Sequence, residues 1–182
     1  MIELAETPTA ALVPFGPGDA APPQVGAQRA REELARLEPG SPRAALYMLQ
    51  LQGADLPPVE CPLQHVFAPG CYARTIRIPA GTFIVGKIHK HQHVNVLSQG
   101  EVTVLTEGAG VEHLRGPLTM VSMPGTKRAL YTHTDVTWTT IHVTNLTDLA
   151  QIEEYVIAQT YEEYERFAAL EASKAPLQIG GQ

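Results

Sequence analysis

The sequence predicts a mainly-β fold, an antiparallel sandwich or barrel with helices at both ends. Two observations carry that reading. Between residues 63 and 146, short runs such as "CYARTIRI", "EVTVLTEG" and "VTWTTIHVT" are rich in Val, Ile, Thr and aromatic residues, with Gly, Pro or Asp turns between them. Strands of this length at this spacing belong to antiparallel sheets closed on themselves or stacked in pairs. On either side of that stretch the apolar period changes to that of helices.

Taken in order, residues 1–25 hold Pro8, Pro14, Pro17, Pro22 and Pro23 among glycines and alanines. Such a segment buries too little apolar area to offset its ordering entropy, so it reads as an extended arm. Residues 26–62 form a helical segment. In "AQRAREELARLE" (27–38), Ala27, Ala30, Leu34 and Leu37 share one face, and Pro39–Gly40 stop the helix. Ser41 and Pro42 are the cap and first turn of a second helix, ended by Gly53. The barrel is expected over 63–146. In the last segment, 147–182, Asp148 caps a helix with Gln151 at the third position, and Leu149, Ile152 and Val156 form its stripe. Tyr161, Tyr164 and Phe167 extend the same helix, and the final dozen residues form a tail.

Composition excludes several functions. The 182 residues carry a net charge of −6, with no cluster of Lys or Arg to displace counterions from a nucleic acid. No apolar run is long enough for a membrane span, and the start lacks the basic-then-apolar layout of a signal peptide, so a cytosolic protein is expected. Cys61 and Cys71 are the only cysteines. In a reducing compartment they read as two packed thiols, although a disulfide across that interval stays open.

The chemistry is concentrated in "GKIHKHQHVNVLSQG" (86–100), where His89, His91 and His93 stand at every second position. On a strand, alternation sets Lys87, His89, His91, His93, Asn95 and Leu97 on one face, with Ile88, Val94 and Val96 on the other. Converging neutral imidazoles suit a divalent transition metal, with Fe, Zn, Ni and Mn as candidates. A straight strand spreads three such residues over about 13 Å. One ion therefore takes all three only if the chain bends, and two of them plus a ligand from elsewhere is the favoured set. The bland alternative is a solvated or core-satisfied histidine face.

Together with "GPLTMVSMPGTKRALYTHTDVTWTTIH", this stretch resembles the two motifs of the cupins, which implies a cupin-type jelly-roll β-barrel. Gly100 matches the closing glycine of the first motif. His93 then stands where the family usually has glutamate, His89 matches the second histidine of the H-x-H pair, and Lys87 replaces the first, with His91 as its substitute. In the second motif Pro124 and Gly125 agree, but Arg128 replaces the expected histidine. If 128–132 and 136–143 pair as a hairpin, Arg128 lies within about one residue of His142, which supplies the missing ligand. His133, at the turn, is the weaker choice. The resemblance covers about half the chain. It is similar in particular to cupin-like proteins of tailed bacteriophages, which implies synthesis in a host cytoplasm and a place in the virion or an accessory role.

The expected metal set is thus His89, His93 and His142, with His91 as alternate. Arg128, with Lys127, is placed to bind a small anionic molecule through its planar guanidinium. His65 and His113 read as ordinary satisfied histidines and Trp138 as core. No nucleophile or phosphate loop is marked. Two functions remain: a metal-binding structural or assembly protein, favoured by the extra-barrel segments and the missing carboxylate, and a metal-dependent cupin enzyme. A homo-oligomer or virion subunit is expected, with residues 1–25 as its contact arm.

Overall fold

The computed structural model describes residues 23–174, so the arm and the tail lie outside the described residues apart from Pro23 to Val25. Two helices come first, α1 (Pro23–Leu34) and α2 (Pro42–Ala54). Ser41 caps α2 as expected, its Oγ accepting from the Ala44 N–H at 3.2 Å. Helix α1 begins and ends earlier than the apolar stripe suggests, and Leu37 follows it in a turn while still packing inward.

Ten strands follow: β1 (Leu63–Ala68), β2 (Cys71–Ile78), β3 (Phe83–Val85), β4 (Ile88–His89), β5 (His93–Gln99), β6 (Glu101–Thr106), β7 (Gly110–Arg115), β8 (Leu118–Ser122), β9 (Arg128–Thr132) and β10 (Val136–Val143). All but β4 form a five-stranded antiparallel sheet in the order β1-β2-β10-β5-β8 and a four-stranded one in the order β3-β9-β6-β7. This double Greek-key pairing, with consecutive strands divided between facing sheets, is the jelly roll. The fold is therefore mainly β, as the sequence predicts. Gly100 makes the tight β5–β6 corner. Its φ is +99°, and a Cβ there would stand 2.3 Å from the Asp135 carbonyl oxygen.

The same topology overturns the expected hairpin. Strands β9 and β10 do not pair: β9 lies between β3 and β6, while β10 lies between β2 and β5. The turn "HTDV" is a crossover from one sheet to the other, and local turn residues are the same for both. Nor is 87–97 one strand. It breaks into β4 and β5 around the turn Lys90–His91–Gln92.

Between the sheets, Ile78, Leu97, Val102, Val104, Val136 and Trp138 form the core at one end of the barrel. Each such side chain contributes about 1.5–3 kcal/mol by burial. The other end is polar, with His93, Asn95, Ser122 and His142 buried. The C-terminal segment closes over it. The expected single helix is two, α3 (Leu149–Val156) and α4 (Tyr161–Lys174), separated by the short strand β11 (Ile157–Ala158) paired with β4. Asp148 does cap α3, accepting from Gln151 N–H at 2.9 Å. Tyr161, Tyr164 and Phe167 belong to α4, whose first turns pack with α1, α2 and Ile88. Both cysteines are free thiols. No described helix is long and apolar enough to cross a membrane.

Candidate metal centre

Three strands bring three imidazoles together. His93 opens β5 and His142 lies next to the end of β10, both on inward positions, since Asn95 faces Thr140 and two residues further along the same register bring His93 level with His142. His89 arrives from β4, which is held from both sides. Its backbone pairs with Ile157, the Gly125 N–H donates to its carbonyl at 2.8 Å, and the next N–H, of Lys90, donates to Val156. With the backbone so fixed, Ile88 turns into the helical cluster and His89 into the barrel.

The ring centroids are 4.2 Å apart for His89 and His93, 4.9 Å for His93 and His142, and 5.2 Å for His89 and His142. One nitrogen from each lies within 4.8 Å of the others. Two nitrogens bound to one ion at about 2.1 Å can be separated by at most about 4.2 Å. Small rotations of the rings therefore suffice. His93 Nδ1 lies 2.9 Å from the His91 carbonyl oxygen and donates to it, which fixes the tautomer and leaves Nε2 as the free lone pair. The Nδ1 atoms of His89 and His142 are buried without a hydrogen-bond partner. Leaving such atoms unmet costs about 1–3 kcal/mol each, a cost that a bound cation would remove.

The electrostatics agree. Burial lowers the pKa of all three imidazoles, His142 to about 4, and neighbouring imidazoles add to the shift at His89 and His142. The rings are thus held neutral, the state that ligates a metal. The donor set, burial and convergence all fit a divalent transition ion.

His91 is not part of this group. The turn between β4 and β5 points it outward, where its ring stacks on Tyr155 at 4.4 Å and meets Phe167 edge-on at 5.2 Å. The bend that lets His89 and His93 converge is the one that expels His91. His133 is also elsewhere, with Nε2 2.7 Å from Thr103 Oγ1.

Arg128 reaches the barrel interior from the opposite sheet rather than from beside His142. Its Nη1 donates to Ser122 Oγ at 2.6 Å and its Nε to Thr106 Oγ1 at 3.2 Å. Among the described residues no carboxylate makes an ion pair with it, and burial pulls its pKa down. Lys127 points the other way, away from the histidines, donating to the Gly86 carbonyl at 2.8 Å. The pairing of the two as an anion site is thus not what forms.

Tyr72, Ser122 and Arg74 are not marked by the sequence, and the partners of Asn95 and Trp138 are not either. Tyr72 stacks on His142 at 6.2 Å between centroids and is bridged to His65 Nδ1 at 2.7 Å from its hydroxyl. Trp138 Nε1 donates to Asn95 Oδ1 at 2.9 Å, and Asn95 Nδ2 to Ser122 Oγ at 2.6 Å, extending a buried chain of hydrogen bonds to Arg128. Arg74 lies one inward position from Tyr72, opposite Thr140. Alternation along "CYARTIRI" carries that information once the inward face is known.

Comparisons with known proteins add the following. A scan of protein-family models and a search of curated proteins give no match. Among solved structures, the ectoine synthase from P. lautus is similar over 57% of this chain and 80% of its own, at 14% identity and a TM-score of 0.45. The cupin domain of Schizosaccharomyces pombe Cnp3 is similar over 52% of this chain and 69% of its own, at 15% identity and a TM-score of 0.40. The hydroxypropylphosphonic acid epoxidase from S. wedmorenis follows at 7% identity and a TM-score of 0.39, with 45% of this chain and 50% of that one covered. The jelly-roll assignment rests on the strand pairings of the chain itself.

Proposed function

We propose that this chain is a metal-binding protein of the cupin kind, in which His89, His93 and His142 hold one divalent transition ion beside a site for a small anionic ligand. The observation that carries the reading is the convergence of His89, His93 and His142, one nitrogen of each within 4.8 Å of the others in a buried setting. Three protein ligands leave positions free, as at catalytic metal centres, whereas structural sites are closed by four. Such an ion supplies Lewis-acid or redox chemistry to an oxygen-bearing ligand. Arg128, fixed by two hydroxyls and in no ion pair among the described residues, orients the anion, with Arg74 a second inward cation. The buried chain from Trp138 through Asn95 and Ser122 keeps the guanidinium in place.

The test is metal content after purification with Fe, Zn, Ni or Mn supplied. One ion per chain is expected in the wild type. His89→Ala and His142→Ala should each weaken binding by more than the roughly 10–100-fold that loss of an outer-shell partner costs, while His91→Ala keeps full occupancy. Full occupancy in both ligand variants would overturn the site. Adding azide or acetate to the Co(II)-loaded protein should change its visible spectrum if positions are free. An unchanged spectrum would instead favour a second reading, a stabilising metal in a phage virion or assembly component. That reading has its support in the four helices packed outside the barrel.

A further inference from the structure

His89 and His93 are separated by the turn Lys90–His91–Gln92, and the shape of that turn decides whether their rings converge. For His93 the link is direct. Its Nδ1 donates to the His91 carbonyl at 2.9 Å, so the imidazole is aimed by a peptide group of the turn itself. None of the three turn residues is of the kind that fixes a turn by its own chemistry, as Gly, Pro, Asn or Asp does. The conformation is therefore held from outside.

What grips it is the C-terminal segment. The Lys90 N–H donates to the Val156 carbonyl at 2.8 Å, and the Lys90 ammonium donates to the Glu154 carbonyl at 2.9 Å. Both carbonyls belong to the last turn of α3, where unpaired C=O groups favour a cation. The same ammonium lies 2.8 Å from Glu163 Oε1, in the first turn of α4. Glu163 is itself fixed. Its N–H donates to Thr160 Oγ1 at 3.0 Å, and its Oε2 accepts from the Gln159 N–H at 2.8 Å, an arrangement close to a capping box. The Lys90 side chain is only 12% exposed, so solvent screens this pair less than one at the surface. Lys87 provides the contrast, pairing with Glu153 at 2.5 Å where both side chains are largely in solvent.

We propose that Lys90 is a positioning residue of the metal centre. By clamping the turn between the end of α3 and the start of α4, it holds the His91 carbonyl against His93 and so points His93 Nε2 at the ion. The proposal rests on the reading of His89, His93 and His142 as ligands. It makes Glu163, on a helix outside the barrel, a determinant of metal affinity.

Two measurements on the full chain test it. In the metal-free protein, long-range proton–nitrogen NMR of the imidazoles reads the tautomer of His93. The proton is expected on Nδ1 alone in the wild type and shared between both nitrogens in Lys90→Met. Titration with Zn(II) reads affinity, expected to be about tenfold weaker in Lys90→Met and in the milder Glu163→Gln. Lys90→Arg can still donate to both partners and should keep the wild-type tautomer and affinity. Lys87→Met removes an ion pair to α3 without touching the turn, so it should change neither reading. Folded Lys90→Met and Glu163→Gln proteins with the wild-type tautomer and affinity would overturn the proposal, as would an equal loss in Lys87→Met. A wild type that takes up no Zn(II) would overturn the metal centre instead, and the His93 tautomer would still decide the role of Lys90.

Discussion

Lys127 is a buried ammonium with one hydrogen bond, to the Gly86 carbonyl, and the ring of Tyr47 at 5.1 Å from its nitrogen. Burial lowers its pKa to about 8 from an ordinary 10.5. Below pH 8 it is charged in the folded and unfolded chain alike, and the folded state carries the full desolvation cost. As pH rises through 8 the folded chain releases the proton first, so stability should increase from pH 8 to about 10. Tyr47 and Tyr161 act oppositely but later, because burial raises their pKa values above the ordinary 10.0 and the unfolded chain ionises first. Urea unfolding at pH 8 and pH 10 measures the difference. Lys127→Met should stabilise the protein at pH 7 by about 2 kcal/mol and flatten that rise. A variant less stable than the wild type would show that the ammonium's bond to Gly86 outweighs its burial.

At the level of elements, the junction of the barrel with α4 passes through one glycine. Gly125 has a φ of +80°, donates its N–H to the His89 carbonyl, and lies so close to Tyr164 that a Cβ would stand 2.5 Å from the ring. Gly125→Ala should therefore cost about 2–4 kcal/mol, from the left-handed backbone and the overpacking together. In Gly125→Ala/Tyr164→Ala the overpacking is relieved, so the pair should cost less than the two single changes added, measured by chemical denaturation. This junction also separates what the sequence made legible from what it did not. Counting back from Gly100 along the motif that the stretch resembles singled out His89 and His93, whereas period-two spacing alone set His91 beside them, and His142 was reached through a hairpin that does not form although the three imidazoles do converge. The kink at residues 90–92 was anticipated only as a geometric necessity, because nothing local in "KHQ" marks a turn; it is held by β11 and Gly125, which are distant in sequence. For the same reason "HTDV" could not reveal a crossover, and the apolar stripe running from α3 to α4 hid the two residues that leave the helix to pair with β4. Ser41 and Asp148 were readable because a cap is made by its own neighbours.

For the whole molecule, the helices outside the barrel hold β4, the strand that carries His89, from behind. Ile88, 1% exposed, is packed among Ala30, Tyr47, Ala158 and Tyr161, with Leu34 and Leu37 against the same cluster. The neighbouring residue is His89, so ordering of this cluster and direction of the imidazole are coupled through two residues of β4. The boundary of what can be removed follows. Deletion of residues 1–22 keeps α1 and every member of the cluster, whereas deletion of 1–40 strips Ala30, Leu34 and Leu37 from it and should cost about 3–5 kcal/mol more than the shorter deletion. Freed on one side, β4 then samples positions that turn His89 away. Metal affinity should fall at least tenfold in the 1–40 deletion although no ligand is touched, and stay at the wild-type value in the 1–22 deletion. Calorimetric titration of both proteins with Zn(II) or Ni(II) reads this directly. Equal affinity in the two would mean that β11 and Gly125 alone fix His89, and that the N-terminal helices serve stability only.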